Sequence, residues 1–227
     1  MNKYIYILIL IIFSSYAQAH TSHYEGVKKI EMEVFRNNKQ IGYSNYFFER
    51  IDSNTMIVKN YTKFQVKLLG AVIFSISSEG IEKYKNNKLI YFKSTTYQND
   101  KEKYVKLNFD ESSKKFIIDG SSFKGKANLD CVIGNWWNHE ILKAEQQISP
   151  VSGSVKDQVI MYVGDENIIL YGKSYSAERY KLKSKNDKLP DDKKLNFDIW
   201  LDKESNLILK VVYKRMGDWE YKLKNFE

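Results

Sequence analysis

From Val27 onward apolar and polar residues alternate along the chain. Ile30, Met32 and Val34 fall on one face of a strand, with Lys29, Glu31 and Glu33 on the other. Asn37-Asn38-Lys39 turns this strand into an aromatic-rich partner, Ile41 to Arg50. The same rhythm predicts strands at Thr55 to Leu69, Val72 to Ser77, Gly80 to Tyr84, Leu89 to Tyr97, Lys103 to Phe109 and Phe116 to Ile118. After residue 157 it predicts Gln158 to Val163, a turn at Gly164-Asp165-Glu166-Asn167, and Ile168 to Tyr171. Further strands follow at Tyr175 to Lys183, Leu195 to Leu201, Leu207 to Lys214 and Trp219 to Phe226. Between the two groups the pattern changes. Asn135 can cap a helix, and Trp137, Ile141 and Ala144 recur at helical spacing with Glu140, Lys143 and Glu145 outward. The expected fold is mainly β: an extended, curved antiparallel meander, half-barrel or open barrel, with one central helix on or in its concave face. The expected wedge is Trp136-Trp137, because large aromatics dominate burial where a helix meets a sheet.

Residues 1–19 read differently. Lys3, the apolar run Ile5 to Phe13 and Ala17-Gln18-Ala19 form an export signal with a small-x-small cleavage site. The run is too short to span a bilayer, which takes about 20 residues, so no transmembrane segment is expected after cleavage. The domain plan is therefore a cleaved signal at 1–19 and a single β-rich domain over 20–227. Within it, strands occupy 27–128, a helix and loop 130–157, and strands again 158–226. Residue 20 is histidine, not the cysteine that a lipid anchor needs, so a periplasmic or secreted protein without an anchor is expected. The single cysteine, Cys131, rules out a disulfide within the chain. The net charge of +8 is spread through the chain among acids, without the clustered basic face of a nucleic-acid reader. Weak attraction to anionic lipid or acidic glycans is compatible with it.

Cleavage would leave His20 with a free amine and an imidazole, and His23 with a second imidazole, a set suited to copper(II). The plainer account of both is a frayed terminus. Cys131, His139 and Asp130 are the residue types of a thiol nucleophile, but a buried cysteine acting as a small apolar residue explains Cys131 more simply, with His139 pointing off the helix beside Trp136. Glu178, Asp198, Asp202 and Glu204 could furnish a carboxylate pair for glycoside cleavage, yet nothing selects one pair. No phosphate loop, nucleophile elbow or zinc-protease motif is present. Arg179 stands out in a chain that otherwise favours lysine; it suits a salt bridge within the sheet or recognition of a ligand. With Trp136, Trp137, Tyr180 and Trp200 it makes up the expected ligand-binding set.

Several short motifs carry a resemblance: Asn38-Lys39-Gln40-Ile41-Gly42, Trp136-Trp137-Asn138, Ser149-Pro150-Val151-Ser152-Gly153, Gly164 in a hairpin turn, Ala177-x-Arg179-Tyr180, Ile199-Trp200-Leu201-Asp202, and Gly217 with Tyr221-x-Leu223. The chain resembles an uncharacterised family of exported bacterial β-rich domains of unknown function. The resemblance implies a periplasmic or secreted sheet-and-helix fold and brings no catalytic residues. The expected role is an exported envelope protein, not an enzyme and without a cofactor, that binds or carries a hydrophobic ligand such as a lipid or lipidated cargo. The alternatives are a scaffold with a filled core that binds an envelope protein partner, and a hydrolase of envelope glycans or lipids.

Overall fold

The computed structural model describes residues 24–227, so residues 1–19, His20 and His23 lie outside it. Fifteen strands run in chain order: β1 (Lys29–Arg36), β2 (Lys39–Arg50), β3 (Thr55–Leu68), β4 (Ala71–Lys85), β5 (Lys88–Gln98), β6 (Lys101–Asp110), β7 (Lys115–Gly120), β8 (Lys124–Ala127), β9 (Val132–Ile133), β10 (Gln146–Ile148), β11 (Val155–Leu170), β12 (Lys173–Ser184), β13 (Asn196–Asp202), β14 (Ile208–Lys214) and β15 (Asp218–Phe226). All belong to one curved sheet of order 8-7-6-5-4-3-2-1-15-14-13-12-11-10-9. Two meanders are joined by the antiparallel pairing of β1 with β15, and the sheet stays open between β8 and β9. Every pairing is antiparallel except that of β9 with β10.

The alternation read from β1 holds: Ile30, Met32 and Val34 are buried. One core cluster brings β1–β4 together with β11–β15 around Trp137. A second packs Phe92, Val105, Leu107, Phe116 and Ile118 of β5–β7 against Cys131, Ile133 and Ile148. The concave side is thus filled by the chain's own segment 128–154. Ser149–Ser154 lies against Gly120 of β7; the Ser122 N–H, just beyond β7, donates to the Ser152 carbonyl (3.0 Å), and the Ser94 hydroxyl on β5 donates to the Pro150 carbonyl (2.5 Å).

The segment is not a helix. Its helical content is one 3₁₀ turn, His139–Leu142, capped by the Asn138 side chain on the Glu140 N–H, with β9 and β10 on either side. The reason lies in where its backbone hydrogen bonds go. The Trp136 N–H donates to Tyr46 Oη (3.3 Å), Tyr24 donates to the Trp137 carbonyl (2.6 Å), and the His139 N–H donates to Tyr24 Oη (3.2 Å). The Gln158 amide donates to the carbonyls of Ile141 (2.8 Å) and Ala144 (2.9 Å). Side chains of Tyr24, Tyr46 and Gln158 claim backbone groups of the segment, including carbonyls that a helix would pair internally, so the helical spacing of Trp137, Ile141 and Ala144 marks only which residues point inward. Gly164 also departs from expectation. β11 runs straight through it with a bulge at Tyr162/Gly164, and the chain reverses at Tyr171-Gly172, both at positive φ.

Candidate functional site

The antiparallel order sends the β4–β5 and β6–β7 turns to one end of the sheet, where residues 129–145 cross between them. Together they bound a groove of about 1030 Å³. Its floor includes Leu89, Phe109, Phe116, Val132 and Ile133, with Cys131 beside them. Its rim carries both signs, Lys85, Lys88, Lys114 and Lys143 against Glu111, Asp130, Glu140 and Glu145. Two of these pair across short distances, Lys114–Glu111 at 2.7 Å and Lys143–Glu140 at 2.9 Å.

Beneath the groove wall lies a buried polar cluster. Glu82 on β4 is almost fully buried in a row with Val58 and Phe92. Its Oε1 accepts from Asn135 Nδ2 (2.6 Å) and Trp137 Nε1 (2.9 Å), and its Oε2 accepts from the Tyr84 hydroxyl (2.5 Å). Burial raises the Glu82 pKa, and the three donors offset part of that rise. Tyr84 itself lines the groove, so the carboxyl stands one side chain from it. His139 is buried in the same region, with Nδ1 2.9 Å from Tyr24 Oη, rather than pointing off the surface.

Cys131 is buried, donates to Gln146 Oε1 (3.3 Å) and has its thiol pushed up to about 11 by burial and by Asp130. That environment disfavours a thiolate. Among the described residues no group of three or more His, Cys, Asp or Glu side chains is placed to hold a metal ion.

The five residues expected to bind ligand sit in four places, none of them in the groove. Trp137 is at the centre of the core, edge-on to Tyr24, Phe48 and Tyr84. Trp136 packs against Phe197, centroid to centroid at 5.0 Å, and Tyr221. Cross-strand register places Arg179, Trp200 and Lys210 side by side on β12, β13 and β14. There the Trp200 ring lies 5.0 Å from each cation, and its Nε1 donates to Glu166 (2.8 Å). Arg179 also bridges Glu166 (3.0 Å) and Asp198 (2.9 Å). Burial pushes the Asp198 carboxyl up, but Lys181 and Arg179 together bring it below its usual range. Tyr180 is on the opposite face of β12, donating to Glu178 (2.6 Å). Every polar group of the Arg179 cluster is occupied within the sheet. Arg179→Ala is expected to cost about 1 kcal/mol at neutral pH by chemical denaturation, the worth of a solvent-screened bridge. Asp198 and Glu166 have depressed folded pKa values, so their contribution is present above about pH 4 and fades as the pH falls through the folded values. The deficit of Arg179→Ala should shrink over that same range.

The model of a domain of unknown function, DUF6134, matches residues 32–224. The chain belongs to the DUF6134 family. Among solved structures, the domain is similar to a β-barrel-like protein of the DUF1849 domain of unknown function from Brucella abortus. That match has a TM-score of 0.57 and 8% identity, covering 88% of this chain and 96% of that one. A protein with a YmcC-like fold from Bacteroides fragilis aligns over 88% of this chain and 94% of its own at a TM-score of 0.37 and 8% identity. No curated protein matches the sequence. At such identities the DUF1849 likeness speaks for the fold alone, a barrel-like β-sheet. No helix among the described residues of this DUF6134 domain is long and apolar enough to cross a membrane.

Glu82, Tyr84, Asn135 and Tyr24 did not emerge as candidates from the sequence. A signal was available for Glu82: it shares strand parity with Ile76 and Tyr84, so an acid falls on the buried face of β4.

Proposed function

We propose that this DUF6134 protein is an exported binding protein whose ligand is a single-chain amphiphile held in the groove between the β4–β5 turn, the β6–β7 turn and residues 129–145. The observation that carries this reading is the groove itself. Its volume is at the upper end for small-molecule sites, its floor is apolar, and its rim is balanced in charge. The concave interior is filled by segment 128–154, so the ligand space lies at the end of the sheet. An acyl chain would lie along Leu89, Phe109 and Val132, with a zwitterionic headgroup among Lys88, Lys114 and Glu111. Export rests on the pattern of residues 1–19.

Titrating the purified protein with a fluorescent fatty acid and with lysophosphatidylethanolamine tests this. Saturable binding is expected, weakened about tenfold by Leu129→Glu, which places a charge at an exposed groove position. An empty groove in native mass spectrometry together with no titration would instead favour the scaffold reading, which the filled interior supports.

A further inference from the structure

The opposite end of the sheet carries a different anomaly. β3 and β4 run past both neighbours: their pairing continues to Leu68–Ala71, whereas β2 reaches β3 only as far as Phe64, and β5 reaches β4 only as far as Ile76. The projecting ribbon ends in Leu68-Leu69-Gly70-Ala71-Val72-Ile73, with Leu69 fully exposed and Leu68, Val72 and Ile73 about half exposed. Monomer surfaces scatter single apolar residues, but four on one projecting tip form a patch.

The turn chemistry makes the choice of residue sharper. Leu69 and Gly70 both have positive φ, +50° and +85°, the two-residue reversal that favours Asn-Gly. The turns at Asn37-Asn38, Asn86-Asn87 and Asn99-Asp100 put Asn first at this position. Tyr171 is another exception, and its hydroxyl is held by Glu33 (2.5 Å) with Lys224 over its ring. Leu69 has no such contact. A leucine there is costly for the turn and for exposure together, the sort of local conflict that function retains.

Charge indicates the occupant. From residue 53 to residue 78 no acid occurs, while Lys59, Lys63 and Lys67 recur. Lys59 pairs with Glu49 (2.9 Å), whereas Lys63 and Lys67, nearer the tip, have no ion pair among the described residues. Arg36 and Lys39 stand at the adjacent β1–β2 turn, and the β5–β6 turn contributes Asp100, Lys101 and Glu102. We infer that the β3–β4 tip inserts into the interface of an anionic lipid bilayer, Leu69 and Ile73 entering among the acyl chains while Lys63 and Lys67 meet the headgroups. A narrow convex ribbon buries itself in a fluid surface, whereas a rigid protein partner would need a matching pocket. β4 spans about 50 Å at the usual rise per residue, and the groove lies at its other end, away from the tip.

Vesicle co-sedimentation tests this, with the protein recovered from the cell envelope and its N-terminus read by intact mass. Vesicles of phosphatidylglycerol and phosphatidylcholine are expected to bind it, phosphatidylcholine alone much less, and salt to weaken the binding. Leu69→Asn with Ile73→Thr should reduce binding about tenfold while leaving thermal stability equal or higher, since it restores Asn-Gly to the turn. Lys63→Glu with Lys67→Glu should abolish the preference for the anionic lipid. Leu129→Glu at the other end should leave vesicle binding unchanged, which separates this result from that for the groove. Binding that survives Leu69→Asn/Ile73→Thr, as it would if residues 1–19 carried it, overturns the inference. So does the absence of vesicle binding, including the case of a concentration-dependent dimer lost in the same variant.

Discussion

Glu82→Leu is expected to lower the unfolding free energy by about 4 kcal/mol, the cost of leaving buried donors without an acceptor. Asn135 Nδ2 and Trp137 Nε1 both converge on Oε1, and leucine offers neither anything in return. Glu82→Gln should behave quite differently. Its carbonyl can keep both donors, and its amide can donate to Tyr84 Oη, which now accepts; a loss of about 1 kcal/mol is expected. The pH dependence distinguishes this account from simple packing. Burial raises the folded pKa of Glu82, so its stabilising contribution is fully present below its unfolded value and is lost as the pH rises through the folded value. The stability of the wild type relative to Glu82→Gln should therefore decline with rising pH in urea titrations. An advantage that grows with pH would mean that the three donors outweigh burial.

The second large effect is expected where two glycines cross. A methyl group at Gly120 would stand 2.6 Å from the Ser152 carbonyl oxygen, and one at Gly153 would stand 3.1 Å from Gly120 Cα. At Gly120 the obstacles are all backbone, so no side chain can swing away. Gly120→Ala must lift the Ser149–Ser154 loop off β7, straining the Ser122 and Ser94 hydrogen bonds. A loss of about 3 kcal/mol is expected by chemical denaturation, with a clear drop in Tm. Gly125→Ala on neighbouring β8 meets only the Phe123 ring and serves as the mild control.

These two sites show what a single sequence makes legible. Alternation in β1 and the Asn-containing turns report local geometry directly, because a half-buried strand needs period two and a tight reversal needs positive φ. The interior segment lacks such a code. Its conformation depends on Tyr24, Tyr46 and Gln158, which are remote from much of it in sequence and take over its backbone groups. Helical spacing at Trp137, Ile141 and Ala144 is equally what an irregular chain shows when it threads a cavity. Gly164 misled for a related reason, since glycine beside polar residues marks a turn or a bulge and only the partner strand decides which. The groove lies where turns from distant parts of the chain meet, a juxtaposition that follows from strand order and not from any motif.

The β1–β15 seam bears on the order of folding. The hairpins of both meanders are local and close quickly, but Ile30 must find Phe226 across nearly the whole chain, and Lys29 N–H must find the Glu227 carbonyl at 2.9 Å. Loop-closure entropy therefore makes this step the expected last one. Until β15 is available, β1 is an open edge with its ladder unsatisfied, so a partly folded chain would hold two separate half-sheets, each able to pair with a stranger.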